Sequence, residues 1–469
     1  MGSMRSHSAL APKCRQGRPP SNGAGRGRLV TNHGAFTGAD SPAFASSAGR
    51  RPPLRARWAA ARWRLPSPRF VTPLEYGRSQ MKIVVTGLVA SFPLGGVAWD
   101  YLAYVDGFRR MGCDVLYLED TGQWLYDPSR ETFTDDANGN IRWLVDALRT
   151  VAMPPDRFAV RVPDGTFYGA DRHAVTTFCQ SADLFLNVSG SCWLRDEYRG
   201  ARCTAYLDSD PGYTQAKLLA RERGQATDDE SFSVALIRQH DRFFTFAENM
   251  GQPDCAIPDG GLPWIPTRQP VVLERWPFSF DADASRFTTV MSWKTDVSPP
   301  MIDGVRYGGK DVEFSRFVEL PRQTNIPMEV AISGAAPLDR LRAFGWQVVS
   351  AREKSATMDA YRAYLGQARG EWSVAKNVYV ALRSGWFSCR SAVYLALGKP
   401  VVVQDTGWSK YYPTGAGLFG FDTADEAVAA LATVNADYRR HCDAARAVAE
   451  SAFAAEKVLE RLLADCDLR

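Results

Sequence analysis

Residues 383–408 read RSGWFSCRSAVYLALGKPVVVQDTGW, and the order of residue types in them decides the fold. A polar turn leads into Ser388, Cys389, Arg390 and Ser391, small polar and cationic residues that open a short helix over 390–397. The first N–H groups of a helix have no partner within it, and they carry the positive end of its dipole. They therefore face whatever occupies the preceding cleft, an arrangement that suits a diphosphate. Gly398 breaks the helix after Leu397, Pro400 cannot continue it, and Val401, Val402 and Val403 form an apolar strand run.

Working outward, the same alternation recurs on both sides. From Met81 a buried strand run at 82–88 is followed by the turn Pro93-Leu94-Gly95-Gly96, an amphipathic stretch at 97–111 and a second strand at 114–119. Further strands are expected at 184–188, 204–207 and 243–246, with helices and connections filling 158–180 and 213–242. Residues 255–277 hold Pro258, Pro263, Pro266, Pro270 and Pro277, a density expected to forbid regular structure and to mark a linker. The pattern then restarts: strands at 287–293, 328–332, 347–350 and 372–375, and helices at 314–320, 358–365, 423–432 and 437–463. Repeated strand–helix units imply two doubly wound, Rossmann-like α/β domains whose parallel sheets are covered on both faces. Their expected limits are 81–275 and 276–450, with a terminal helix at 451–469, and ligands bind in the crevice at the carboxyl ends of such strands.

Composition narrows the function classes. Residues 1–80 carry thirteen Arg and one Lys against Asp40 and Glu75, a net +12; since the whole chain is +4, the remainder carries −8. The acidic body shows no basic stripe for duplex binding, so no nucleic-acid partner is expected. No apolar run approaches the roughly 20 residues of a membrane span. The segment 1–80 is rich in Arg, Pro, Gly and Ser without a helical or strand period, and is expected to be a disordered leader. It reads as an upstream extension ahead of a working start at Met81, as an Arg-rich transit peptide, or, through Met1-Gly2-Ser3-Met4-Arg5-Ser6, as a myristoylation signal. Nine scattered cysteines, without a CxxC pair or zinc spacing, suggest reduced thiols in a cytoplasm and no metal site.

The 383–408 stretch resembles the donor-binding helix of GT-B glycosyltransferases, where a small apolar–Gly–x–Pro–Val–Val segment follows the nucleotide-sugar site. The resemblance is best over about 285–465 and implies transfer of a sugar from a nucleotide diphosphate donor to an acceptor hydroxyl. The donor is a substrate, and no separate cofactor is implied. It also implies that Ser384, Trp386, Ser388, Arg390 and Ser391 hold the donor, with Arg390 forking onto phosphate and Trp386 covering a ring face. Lys294 and Lys310 lie where the family places cations for the diphosphate. Gly95 and Gly96 sit in a loop that borders the donor, and Asp405 and Thr406, past the strand, are placed to touch the sugar. One departure stands out. The paired glutamates of retaining members would fall, counted back from Gly398, on Gly385 and Val393. Either other groups hold the donor hydroxyls, or a base from the first domain inverts the sugar.

Asp208 and Asp210, at the end of the 204–207 strand, are the candidate bases for the acceptor hydroxyl. Their spacing imitates the DxD metal motif of the GT-A fold, which the two-domain layout contradicts. Ser189-Gly190-Ser191 and Glu248-Asn249 are lesser cleft candidates, and none of the five histidines stands at a strand end. A sugar epimerase of the same architecture and a non-catalytic nucleotide-sugar binder fit the same residues.

Overall fold

The computed structural model describes residues 80–294 and 298–469; the leader expected at 1–80 lies, but for Gln80, outside the described residues. The first half is built on eight strands, β1 (Lys82–Thr86), β2 (Asp114–Glu119), β3 (Phe158–Arg161), β4 (Phe167–Gly169), β5 (Leu184–Val188), β6 (Cys203–Asp208), β7 (Arg242–Thr245) and β8 (Trp264–Pro266). Their order across the sheet is β8-β7-β6-β5-β1-β2-β3-β4, parallel except for β4. The second half holds β9 (Phe287–Ser292), β10 (Met328–Ser333), β11 (Gln347–Ser350), β12 (Gly370–Ser373), β13 (Val401–Gln404) and β14 (Leu418–Phe421), all parallel in the order β11-β10-β9-β12-β13-β14. Both sheets reverse strand order beside their first strand, which opens a crevice at that point. Ile83, Val84 and Val85 of β1 are wholly buried, as a strand covered on both faces requires.

The helices that matter for the site are α1 (Gly95–Arg110), α2 (Tyr213–Glu222), α3 (Lys310–Arg316), α4 (Met358–Gly366), α5 (Asn377–Ala381), α6 (Cys389–Ala396), α7 (Tyr438–Ala452) and α8 (Ala455–Asp465). α1 lies between the halves. Trp99 donates its indole N–H to the Met358 carbonyl at 2.9 Å, and the Gly95 amide donates to the Ser355 carbonyl at 2.7 Å. On its other side α1 meets α8, so closely that a Cβ on Gly107 would collide with Leu459. The last helix of the chain therefore packs on the first half. The chain crosses between halves twice, side by side: Val271 donates to the Phe453 carbonyl at 2.7 Å, and Ala455 donates to the Val271 carbonyl at 2.9 Å.

The helix expected at 314–320 is found instead at Lys310–Arg316, and three further expectations fail, each for a tertiary reason. The Pro-rich stretch does contain a strand: β8 adds to β7 at the edge of the sheet, where Pro266 needs no ladder N–H. Residues 158–180 contribute β3 and β4 before their helix, Arg172–Gln180. The helix expected at 437–463 is two, α7 and α8, because Phe453 and Ala454 unwind to make the second crossing. The stop after α6 is as read: Gly398 takes φ +72°, the left-handed geometry a glycine supplies at a helix end. No helix among the described residues is long and apolar enough to cross a membrane.

Candidate active site between the two halves

The two aspartates after β6 part company. Asp208 turns into the first half and accepts from Thr214 Oγ1 at 2.7 Å, Gln215 Nε2 at 2.9 Å and Thr245 Oγ1 at 3.0 Å. Burial lifts its pKa to about 6 while those hydrogen bonds hold it back. It anchors the start of α2 and has no oxygen to offer an acceptor, which corrects its reading as a base. Asp210 reaches across the gap instead. Its carboxylate accepts from Lys376 Nζ at 2.6 Å and from the Tyr379 hydroxyl, both in the second half. Burial works against the Lys376 ammonium, yet the charge of Asp210 holds its pKa above the ordinary lysine value. An aspartate so paired is a strut between halves more than a free base.

Arg390 is also spent differently from the expectation. Its Nε donates to Glu371 at 2.6 Å, Nη1 to the Val290 carbonyl at 2.6 Å and Nη2 to Ser373 Oγ at 2.5 Å. The side chain is 10% exposed and Glu371 0%, so the guanidinium bolts α6 to β9 and β12 from inside. It borders the cleft without presenting an open fork.

Lys310 is the opposite case. It opens α3, and its ammonium has neither hydrogen bond nor ion pair among the described residues. Burial, then the charges of Arg390 and Lys376, depress its pKa to about 7. Lys310 lines two adjoining cavities, together with Lys376 and Val290. One, of about 200 Å³, lies between the halves and is bordered by Gly96, Asp100 and Asp210 from the first and by Trp386, Ser388 and Arg390 from the second. The other, of about 450 Å³, is walled almost wholly by the second half, including Trp293, Lys294, Gly309 and Asp311. Lys294 is 65% exposed at its rim, 3.9 Å from Asp311. Ser388 caps nothing, so α6 turns its N-terminus toward the smaller cavity with no side chain answering its amides.

The remaining sequence candidates hold the site from behind. Trp386 donates its indole N–H to the Ser209 carbonyl at 3.0 Å and packs on Tyr379, with ring centroids 4.5 Å apart. Thr406 Oγ1 donates to the Trp386 carbonyl at 2.7 Å, and Ser384 Oγ accepts from the Trp386 amide at 3.1 Å. Ser391 is fully buried and its hydroxyl has no partner among the described residues. Asp405 accepts from the Gly407 amide at 2.8 Å and from Ser409 Oγ at 2.8 Å, closing a turn and lining neither cavity. Gly95 gives its amide to the second half and borders neither cavity; a Cβ there would collide with Thr357. Gly385, at φ +77°, abuts the Asn249 backbone, and Val393 is buried, so neither place could carry the acid of a retaining pair without rebuilding.

Sequence reasoning missed Asp100, Glu371, Lys376 and Tyr379. Asp100 had a signal, a carboxylate in the apolar run of α1, shared with Asp106, which Arg110 and Arg275 pair, whereas Lys376 looked like any loop lysine. Among the described residues no group of three or more His, Cys, Asp or Glu could hold a metal ion.

This arrangement can be compared with known structures. An α-glucosyltransferase bound to UDP and a mismatched 13-mer DNA superposes with TM-score 0.51 at 9% identity, over 83% of this chain and 100% of its own. The complex of an α-glucosyltransferase with UDP-glucose and DNA containing an abasic site gives 0.50 at 9% over the same shares. AviGT4, a glycosyltransferase involved in avilamycin A biosynthesis, gives 0.47 at 13% over 82% of this chain and 97% of its own. The chain has the GT-B fold. No family model and no curated protein sequence matches it. Within the GT-B frame the crevice between the sheets' carboxyl ends is where Lys310, Lys376 and the start of α6 converge.

Proposed function

We propose that the protein is a glycosyltransferase that moves a sugar from a nucleotide diphosphate donor to an acceptor hydroxyl. One observation carries the reading: the ammonium of Lys310 has no partner among the described residues and lines, with Lys376 and Arg390, a cavity shared by both halves. A cation left without an anion, and depressed by burial and by neighbouring charge, is a site waiting for negative charge. The diphosphate of a nucleotide sugar supplies it. As the bond from sugar to phosphate breaks, charge builds on the leaving oxygen, and Lys310, Lys376 and the α6 amides oppose that charge from fixed positions. The 450 Å³ cavity of the second half takes the nucleoside, the smaller one takes the sugar, and the acceptor enters from the first half. Expulsion of water across the seam keeps the donor from hydrolysis.

The test is direct binding of UDP, ADP and GDP by calorimetry, followed by turnover of the matching sugar nucleotides. One nucleoside diphosphate should bind in the micromolar range and Lys310→Ala should weaken it. Absence of binding by all three would remove the reading. Tight binding without turnover of any donor would leave a nucleotide-sugar binder.

A further inference from the structure

Resting on the transferase reading, we infer that Asp100 is the general base, and that transfer inverts the anomeric centre. The smaller cavity is bordered by two carboxylates only, Asp100 and Asp210. Asp210 is taken by Lys376 and Tyr379, and Asp208 is sealed inside the first half. The carboxylate of Asp100 has no hydrogen bond among the described residues, although it projects from α1, the helix wedged between the halves. The charged and titratable groups around it are Arg390 and Cys389 on α6, Tyr361 on α4, Tyr101 and Tyr104 on its own helix, and Lys310, Lys376 and Asp210 on the same cavity. Burial raises its pKa to about 7 and the charge of Arg390 restrains the rise, which suits proton transfer at neutral pH.

The halves on which these groups stand set the expected stereochemistry. The cations that take the leaving phosphate, Lys310 and Lys376, belong to the second half, whereas Asp100 stands on the first. Neither Gly385 nor Val393 carries an acid, and among the described residues the second half places no carboxylate on the smaller cavity. In the step itself, Asp100 takes the proton of the acceptor hydroxyl. The freed oxygen pair forms the new bond to the anomeric carbon from the first-half side. The old carbon–oxygen bond breaks, its electrons leave with the nucleoside diphosphate, and the proton on Asp100 returns to solvent.

The experiment uses the full chain with UDP-glucose, ADP-glucose and GDP-mannose as α-linked donors and methanol as a hydroxyl acceptor. The methyl glycoside is identified by NMR. The expected product is the β-glycoside. Asp100→Asn should lower kcat by about 10²–10⁴-fold with nucleotide affinity within twofold of wild type, and should abolish an acidic limb of the kcat profile near pH 7. Asp100→Glu should keep part of the rate. An α-glycoside, or Asp100→Asn within threefold of the wild-type kcat, overturns Asp100 as base while leaving the transferase intact. Failure to bind any of the three nucleotides or to turn over any donor overturns both.

Discussion

At the residue scale the site is a matter of which charges already have partners. Lys310 has none, and its depressed pKa makes a ligand measurable through protons. A diphosphate beside it favours the ammonium, so binding at pH 8, above its free value of about 7, must take up a proton. Calorimetry in buffers of different ionisation enthalpy should show that uptake, and Lys310→Ala should reduce it while weakening affinity by about 10–100-fold, the worth of a charge-assisted hydrogen bond. Arg390 has every partner it needs. Its replacement by Ala strands Glu371 in the interior and should cost about 3–5 kcal/mol in urea unfolding. Undiminished stability with lost nucleotide affinity would return Arg390 to the phosphate-binding role read from sequence. That error is instructive. The stretch 383–391 announced a cleft, because small polar residues ahead of an apolar helix leave amides free, and Ser388 and Trp386 are indeed there. Which cation would be free was not legible, since Glu371 and Asp210 come from strands and loops remote in sequence and claim Arg390 and Lys376 only once the chain is folded.

At the scale of elements the sequence was most explicit where both faces of a strand are covered. Strands 114–119 and 184–188 keep the limits expected of them, because a buried parallel strand has no polar face to blur its ends. It was least explicit at edges and crossings. β8 is a proline-containing edge strand that only its neighbour makes visible, and the break between α7 and α8 has no local breaker residue. It exists because Val271 needs a partner there. Punctuation by glycine was reliable, and it gives a test. Gly398→Ala forces a Cβ into the left-handed region and against the Phe278 ring, for a cost of about 1–3 kcal/mol. A shift in the urea midpoint of that size is expected, and an unchanged midpoint would mean that α6 can end elsewhere.

Across the whole molecule the site taxes stability at neutral pH. Asp100 and Asp208 have folded pKa values of about 7 and about 6 against an ordinary 3.8. The folded chain holds those protons more tightly than the unfolded chain, so their contribution is present in acid and is lost as pH rises from about 4 to about 7. Lys310 stands at about 7 against 10.5; there the folded chain binds fewer protons, and stability recovers from pH 7 toward 10.5. Urea midpoints should therefore dip near neutrality, Lys310→Met should flatten the alkaline rise, and a saturating nucleoside diphosphate should fill the dip. A featureless profile between pH 5 and pH 9 would show that these charges are already neutralised in the free protein.

The return of α8 to α1 has a practical corollary. Severing the polypeptide near Val271 should not yield a self-sufficient amino-terminal fragment, because the apolar trough beside Gly107 would be left bare. A synthetic peptide spanning 455–469 should refill that trough and rescue the fragment's solubility, turning the pair into a split reporter for association in trans.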